Sequence, residues 1–282
     1  MKYYFNIADI YLIITSPFDI HWNKYIQNFR CNEAHHIDEE YEIAVCDSLT
    51  PSGKIVYQDD NRIIFIDENC EQRLHFFTGY NVPAMMYKEV ENKKLIYLNR
   101  NFLEAFTGDN NYSIFNALAF EKVLIKHKAI ILHCSYIIDN NQAILFTAPS
   151  GTGKSTQAEL WKKHRNSIIV NGDRAIIKKI GDKYFAMGMP ICGSSDTCLN
   201  ISVPIKAIVY LGQCPENKIS LFDKKTEIKK LISETTINFF NQEYLNQALD
   251  IIQDLALNIN MYHLLCTKDE NAVICLQEEI YR

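Results

Sequence analysis

The stretch that decides how this chain is read is ILFTAPSGTGKSTQAELW, residues 144–161. An apolar β-like run, AILFT, leads into a glycine-containing loop, and the polar residues Ser155, Thr156 and Gln157 then open a helix. Against the phosphate-loop pattern GxxxxGK[ST], residues 148–155 match at Gly153, Lys154 and Ser155 and depart at the first position, where Ala148 replaces glycine. The pattern works by gathering backbone N–H groups at a helix N-terminus, whose partial positive charge favours phosphate. Gly151 and Gly153 let the backbone curl closely around an anion. Pro149 pushes the residue before it toward extended conformations, where alanine carries no penalty, so Ala148 is compatible with the loop. The segment predicts that Ser150, Gly151, Thr152, Gly153, Lys154, Ser155 and Thr156 hold the phosphates of ATP. Lys154 supplies positive charge to the β- and γ-phosphates. Ser155 offers a hydroxyl to Mg²⁺, an ion that keeps several waters and takes only one or two protein ligands.

The other half of a site follows downstream. Nineteen residues after Lys154, VNGDRA places Asp173 just past the β-like run SIIV. A strand–helix–strand unit with parallel strands predicts that the end of SIIV lies beside the loop, at the carboxyl edge where α/β sheets bind ligands. Asp173 is then the second Mg²⁺ ligand. The run ILHCS carries His133 on the hairpin neighbour of the loop's strand, and imidazole titrates near neutrality. His133 is therefore a candidate base, or a hydrogen-bond partner of Asp173. Arg174 is a candidate for neutralising charge on a transferring phosphate. GSSD, residues 193–196, reads either as a substrate contact or as an ordinary polar loop.

Composition narrows the classes. The chain has 282 residues, 48% of them apolar and 22% charged, which is ordinary globular usage. A net charge of −5 leaves no basic excess for general nucleic-acid binding. The N-terminal MKYYFNIADIYLIITSPF is interrupted by Asn6 and Asp9 and lacks a small-residue cleavage site, so it reads as strands rather than as a signal peptide. No apolar run reaches membrane-span length. Nine cysteines, an odd number without a CxxC pair, suit buried thiols in a reducing compartment, and the expected location is the cytoplasm. CNEAHH, residues 31–36, reads as a polar surface loop, because zinc sites show paired ligands at both ends.

The expected fold class is α/β at the phosphate loop and α+β overall. Residues 1–110 carry short β-like runs (YLIIT, YEIAV, KIVYQ, RIIFID, LHFFT, KLIYL), which suggest hairpins and an antiparallel sheet. The polar break TGDNNYS, residues 107–113, marks the boundary to a second domain over residues 111–282. That domain opens with a helix over 113–127. It continues through strands joined by turns at Asn140-Asn141 and Gly181-Asp182 and becomes helical beyond Asp223, where Leu245, Leu249, Ile252 and either Leu255 or Ala256 share a face.

LHCSYI, TAPSGTGKSTQAELW, VNGDRA and GMPICGSS together resemble the kinase core of the HPr kinase/phosphorylase superfamily, which shares its phosphate-loop fold with phosphoenolpyruvate carboxykinases. The resemblance covers residues 113–213, and YHLLCTKDENAV resembles the C-terminal end of a subgroup, the lasso-peptide precursor kinases, whose loop includes the alanine. It implies an ATP- and Mg²⁺-dependent kinase acting on a serine of a peptide or protein, with His133 accepting the hydroxyl proton and Asp173 its rival for that role. The β-rich first domain is then a module that binds the peptide, by adding it to a sheet edge. HPr kinases commonly show two adjacent acidic residues where this chain has Asp173-Arg174. That departure argues against a second, phosphorylase activity and against HPr as the substrate. A small-molecule phosphotransferase or carboxykinase-like enzyme, and an ATP-binding regulator without turnover, are the alternatives.

Overall fold

The alternating apolar residues near the N-terminus build an eight-stranded sheet in the computed structural model, which describes residues 1–34, 36–68, 70–90, 93–108, 112–193, 195 and 197–282. Its strands are β1 (Lys2–Ile7), β2 (Ile10–Thr15), β3 (Glu39–Cys46), β4 (Lys54–Gln58), β5 (Arg62–Asp67), β6 (Cys70–Phe76), β7 (Pro83–Val90) and β8 (Lys93–Asn99). The order is β1-β2-β3-β8-β7-β6-β5-β4. Neighbours are antiparallel except β2–β3 and β3–β8, so the meander is interrupted by two parallel pairings. The short helix α1 (Lys24–Gln27) lies in the crossover from β2 to β3. Helices α2 (Leu103–Thr107), α3 (Tyr112–Ala117) and α4 (Phe120–Lys126) follow the sheet.

The chain divides into two compact units, Met1–Val123 and Leu124–Arg282. Helix α3, downstream of the polar break, packs in the first of them: Phe115 meets Phe5 and Trp22 edge-on, with centroids 5.1 and 5.5 Å apart. Residues 109–111 of that break lie outside the described residues, as do His35 of CNEAHH and Ser194 and Asp196 of GSSD. The single helix expected over 113–127 is two helices. Ala119 takes a left-handed φ of 50° between them, and the Tyr41 hydroxyl donates to the Leu118 carbonyl at 3.0 Å, satisfying a group that the break releases.

The first unit buries charge as well as apolar surface. Arg73 is 1% exposed and lies 2.5 Å from Glu71 and 2.6 Å from Glu121. Lys122 adds bonds to Glu71 and Glu89, and Lys94 pairs with Glu39. Removing one partner of such a set strands a buried charge. His75 lies in the same layer, where burial and the guanidinium groups of Arg73 and Arg62 pull its imidazole down to about 3.

The second unit alternates strands and helices: β9 (Ala129–Asp139), β10 (Gln142–Thr147), α5 (Lys154–Arg165), β11 (Ile168–Asn171), β12 (Arg174–Ile180), β13 (Lys183–Met187), β14 (Ser202–Gln213), β15 (Lys218–Leu221), α6 (Lys224–Glu234), α7 (Gln242–Asn258), β16 (Met261–Cys266) and α8 (Glu270–Ile280). Its sheet runs β10-β9-β12-β13-β14-β16-β15, with β10 also paired to β14 and β11 to β9. The hairpin at Asn140-Asn141 forms as expected, both residues having positive φ as a type I′ turn requires. Alternate residues of β10 and β14 feed two cores. Ala143, Leu145, Ile208 and Tyr210 meet Leu231, Ile252 and Leu255 from α6 and α7. Ile144, Phe146, Ala207 and Val209 meet Ala158, Trp161, Val273 and Leu276 from α5 and α8. The buried stripe of α7 is Tyr244, Ala248, Ile252, Leu255 and Ala256, so it starts one residue ahead of Leu245 and Leu249, and the Asn241 side chain caps the helix through the Tyr244 N–H.

His75 supplies a pH test of the first unit. Its folded value lies below the ordinary 6.5, so the unfolded chain binds the proton first and stability falls as pH drops from about 6.5 toward about 3. Urea midpoints measured at pH 7 and pH 5 should therefore differ more for the wild type than for His75→Phe. Equal pH sensitivity of the two proteins contradicts this assignment.

Candidate functional site

The loop after β10 has the expected local form. Gly151 and Gly153 have φ of 79° and 123°. A Cβ at either would meet nothing within 4 Å, so the positive φ, not crowding, requires glycine there. Gly153 caps α5, and its carbonyl accepts the Gln157 N–H at 3.0 Å. Ala148 has no positive φ and its methyl is buried among Phe146, Ala158 and Trp161. Ser150, Gly151, Ser155 and Thr156 are exposed. The Thr152 carbonyl accepts from the Gln213 amide at 3.1 Å, which ties the loop to the end of β14. Lys154 is 8% exposed; its ammonium donates to the Ala148 carbonyl at 2.8 Å. Burial pulls the Lys154 amine below its usual range, and the carboxylates of Glu234 and Asp173 oppose that pull.

The strand geometry around the loop differs from the expectation. β10 and β11 run the same way, as a strand–helix–strand unit requires, yet they are not neighbours: β9 lies between them, antiparallel to both. The reason is the tight Asn140-Asn141 turn, which lays β9 against β10 before the helix crosses over. His133 and Cys134 thus occupy the place beside the loop expected for the end of SIIV. Thr147, the last residue of β10, pairs with Cys134, and its hydroxyl donates to the His133 carbonyl at 2.9 Å.

Asp173 reaches the same place from the other edge of β9. The Cys134 N–H donates to the Asp173 carbonyl at 3.0 Å, and Arg174 pairs with His133 in the strand register. Nε2 of His133 lies 3.6 Å from Oδ1 of Asp173. Nε of Arg174 donates to Oδ2 of Asp173 at 2.9 Å. His133, Asp173, Arg174 and Lys154 are therefore brought together. A hydroxyl placed beside this 3.6 Å pair can donate its one proton to Nε2 or to Oδ1, not to both.

Sequence reading missed Glu234. It is 6% exposed at the side chain and lies 3.4 Å from Nδ1 of His133. The helix α6 ends there, and the chain then pairs along β9 through Leu132–Thr235 and a Thr236 N–H bond to Ile131 at 2.9 Å. One signal was present: a carboxylate in the last turn of a helix opposes the helix dipole, and α6 has no basic residue there to offset it. Asn171 was also missed, and GSSD, expected as a substrate contact or a polar loop, supports the same turn. Asn171, wholly buried, accepts from the N–H groups of Asp173 and Arg174 at 2.8 and 3.0 Å and donates to the carbonyls of Met189 and Ile191. The Ser195 hydroxyl accepts from the Gly172 N–H at 3.2 Å. A Cβ on Gly193 would lie 2.7 Å from Cγ of Asp173, so this part of GSSD packs directly on the carboxylate.

Among the described residues no three His, Cys, Asp or Glu gather as a metal cluster, and no helix is long and apolar enough to cross a membrane. A cavity of about 600 Å³ lies elsewhere in the second unit, lined by Ile125, Lys128, Lys179, Tyr184, Ile251 and Asp254 among others. None of the site residues lines it.

No family model matches the chain. ABC transporter G family member 12 of Dictyostelium discoideum is 23% identical over 161 residues, 55% of this chain; the chain spans 23% of that protein's length. Among solved structures, the Hpr(Ser) kinase/phosphatase from Coxiella burnetii is similar with a TM-score of 0.33 and 8% identity, over 54% of this chain and 88% of that one.

Asn171 carries the test of this geometry. Replacing it by alanine removes five side-chain hydrogen bonds, one of them to the Cys198 sulfur, and leaves buried partners unpaired, a loss on the order of 2–4 kcal/mol. Urea denaturation of Asn171→Ala should show it, and a midpoint equal to the wild type contradicts the structural role.

Proposed function

We propose that the chain is an ATP- and Mg²⁺-dependent kinase that transfers the γ-phosphate to a serine hydroxyl of a peptide or protein. The sequence resemblance implies a ribosomal natural-product precursor peptide as the substrate class. The observation that carries the reading is the convergence of a glycine-lined helix N-terminus and Lys154 with the His133–Asp173 pair, across neighbouring strands.

In this reading the N–H groups of residues 150–156 and the Lys154 ammonium hold the phosphates, and the ammonium exchanges the Ala148 carbonyl for phosphate oxygens. The exposed Ser155 hydroxyl and the Asp173 carboxylate are hard oxygen donors of the kind Mg²⁺ takes, and a small protein share suits an ion that keeps its waters. When bound, Mg²⁺ neutralises charge on the phosphate oxygens. The serine hydroxyl sits between His133 and Asp173. Its proton passes to Nε2 of His133, whose Nδ1 lies 3.4 Å from the Glu234 carboxylate. The new oxygen–phosphorus bond forms as the bond to the bridging oxygen breaks, and ADP leaves with the electron pair. Arg174 orients Asp173 and adds positive charge beside the transferring group. The β-rich first unit is the peptide-binding module of this reading. A cytoplasmic setting belongs to it as well, supported by nine cysteines of which none forms a disulfide.

Incubation with ATP–Mg²⁺ and a panel of serine peptides, proteins and small acceptors tests the reading. Phosphoserine on a peptide or protein is expected; transfer to a carboxylic-acid metabolite alone overturns it. Asp173→Asn should abolish transfer with the fold intact, and Lys154→Ala should weaken nucleotide binding or turnover strongly. His133→Gln should lower turnover by about 10²–10⁴-fold. Turnover unchanged by that substitution leaves Asp173 as the base.

A further inference from the structure

The cavity of about 600 Å³ in the second unit takes no part in the kinase reading, and its size is that of a small-molecule site. It lies at the end of β9 and β12 away from His133 and Arg174. Lys179, which lines it, is five residues along β12 from Arg174 (179 − 174), a span of about 16 Å. The floor is apolar. Ile125 and Tyr184 are buried there, and Ile251 packs against the same core. Helix α7 presents two stripes at this point. Tyr244, Ala248, Ile252 and Leu255 enter the core, while Gln247, Ile251 and Asp254, at helical spacing, line the cavity.

Charge on the walls decides what such a floor can hold. Asp254 is already committed, because one of its oxygens accepts from the Lys179 ammonium and from the Tyr184 hydroxyl, each at 2.6 Å. Lys126, Lys128 and Asp250 also line the cavity, and none of the three makes an ion pair among the described residues. Three lysines against two aspartates leave one positive charge in excess (3 − 2). Lys126 has an ordinary explanation, since a cation in the last turn of α4 suits the helix dipole. Lys128 does not. It follows α4 with a left-handed φ of 54°, in the position that glycine usually fills after a helix. A lysine there carries backbone strain, and strain of this kind gathers at binding sites.

We propose that this cavity binds a small organic monocarboxylate with an apolar body. The body covers Ile125, Tyr184 and Ile251, and the carboxylate meets the ammonium groups of Lys126 and Lys128. Affinity comes from the apolar area removed from water. The single excess positive charge selects an anion over a cation of the same shape. The inference is independent of the kinase reading.

Phenylpropionate, phenylpropanol and phenylpropylamine share one body and differ in the charge of the head, and acetate carries the carboxylate alone. Binding of each to the full chain at neutral pH is measured calorimetrically on the wild type and on the double variant Lys126→Gln, Lys128→Gln. The wild type should bind the carboxylate about threefold or more tighter than the alcohol, the amine more weakly still, and acetate not measurably. The double variant should bring the carboxylate down to the level of the alcohol and leave the alcohol unchanged. Lys128→Gly should weaken the carboxylate while raising the urea midpoint, because glycine takes the left-handed conformation without strain. Equal wild-type affinity for all three heads overturns the proposal, as does a double variant that binds the carboxylate like the wild type. Failure to bind any of the probes at millimolar concentration overturns it too. A urea midpoint lowered by Lys128→Gly assigns that lysine to stability and counts against a ligand.

Discussion

One backbone hydrogen bond, from the Cys134 N–H to the Asp173 carbonyl at 3.0 Å, holds the register on which the site depends. It lies where β9 passes from pairing with β12 to pairing with β11, while the opposite edge of β9 begins its run against β10. Successive residues of a strand point to opposite faces, so a slip of one residue would exchange His133 with Cys134. The core resists that slip. Leu132, Cys134 and Tyr136 are buried together on one face, and no polar group can take their place without a partner. Apolar packing thus fixes where the imidazole stands, although the imidazole takes no part in the packing.

Charge then determines what the assembled residues can do. Two carboxylates, Asp173 and Glu234, flank His133 on its two nitrogens, and two basic side chains, Lys154 and Arg174, lie with them. Glu234 is almost fully covered, at the unfavourable end of a helix. A buried carboxylate in that position costs stability unless something else is gained. An acceptor held 3.4 Å from Nδ1 of the imidazole is such a gain.

What the sequence made legible was local. The loop, its two positive-φ glycines and the helix start follow from consecutive residues 148–157, and the hairpin turns follow from Asn140-Asn141 and Gly181-Asp182. His133 and Asp173 were legible as candidates because each sits at the end of a β-like run near the loop. Their mutual position was not, since it depends on β9 lying between β10 and β11. Glu234 is 101 residues from His133 in sequence (234 − 133), and only the packing of α6 beside β9 brings it there. Asn171 was hidden for another reason: an asparagine before Gly-Asp reads as turn chemistry, whereas its side chain bonds two separate backbone segments. Periodicity reports which face of an element is buried. It is blind to which distant element covers that face.

Ala148 shows how a departure from a consensus can be structural. β10 alternates between the two cores, with Phe146 directed to the one shared with α5. Ala148 continues that alternation one step into the loop, and its methyl joins Phe146, Ala158 and Trp161. A glycine there would leave that contact unmade and add freedom to the chain just where it bends. With alanine, the start of the loop is fastened to the helix that the loop feeds, and the Lys154 ammonium closes the ring by bonding the Ala148 carbonyl. The conformational freedom the loop needs is confined to Gly151 and Gly153, where the positive φ values occur. In the kinase reading proposed above, a cradle anchored at its first residue and flexible at two later ones loses less entropy on binding phosphate than one free along its whole length. The alanine therefore belongs to the machinery of the loop, as a device of pre-organisation.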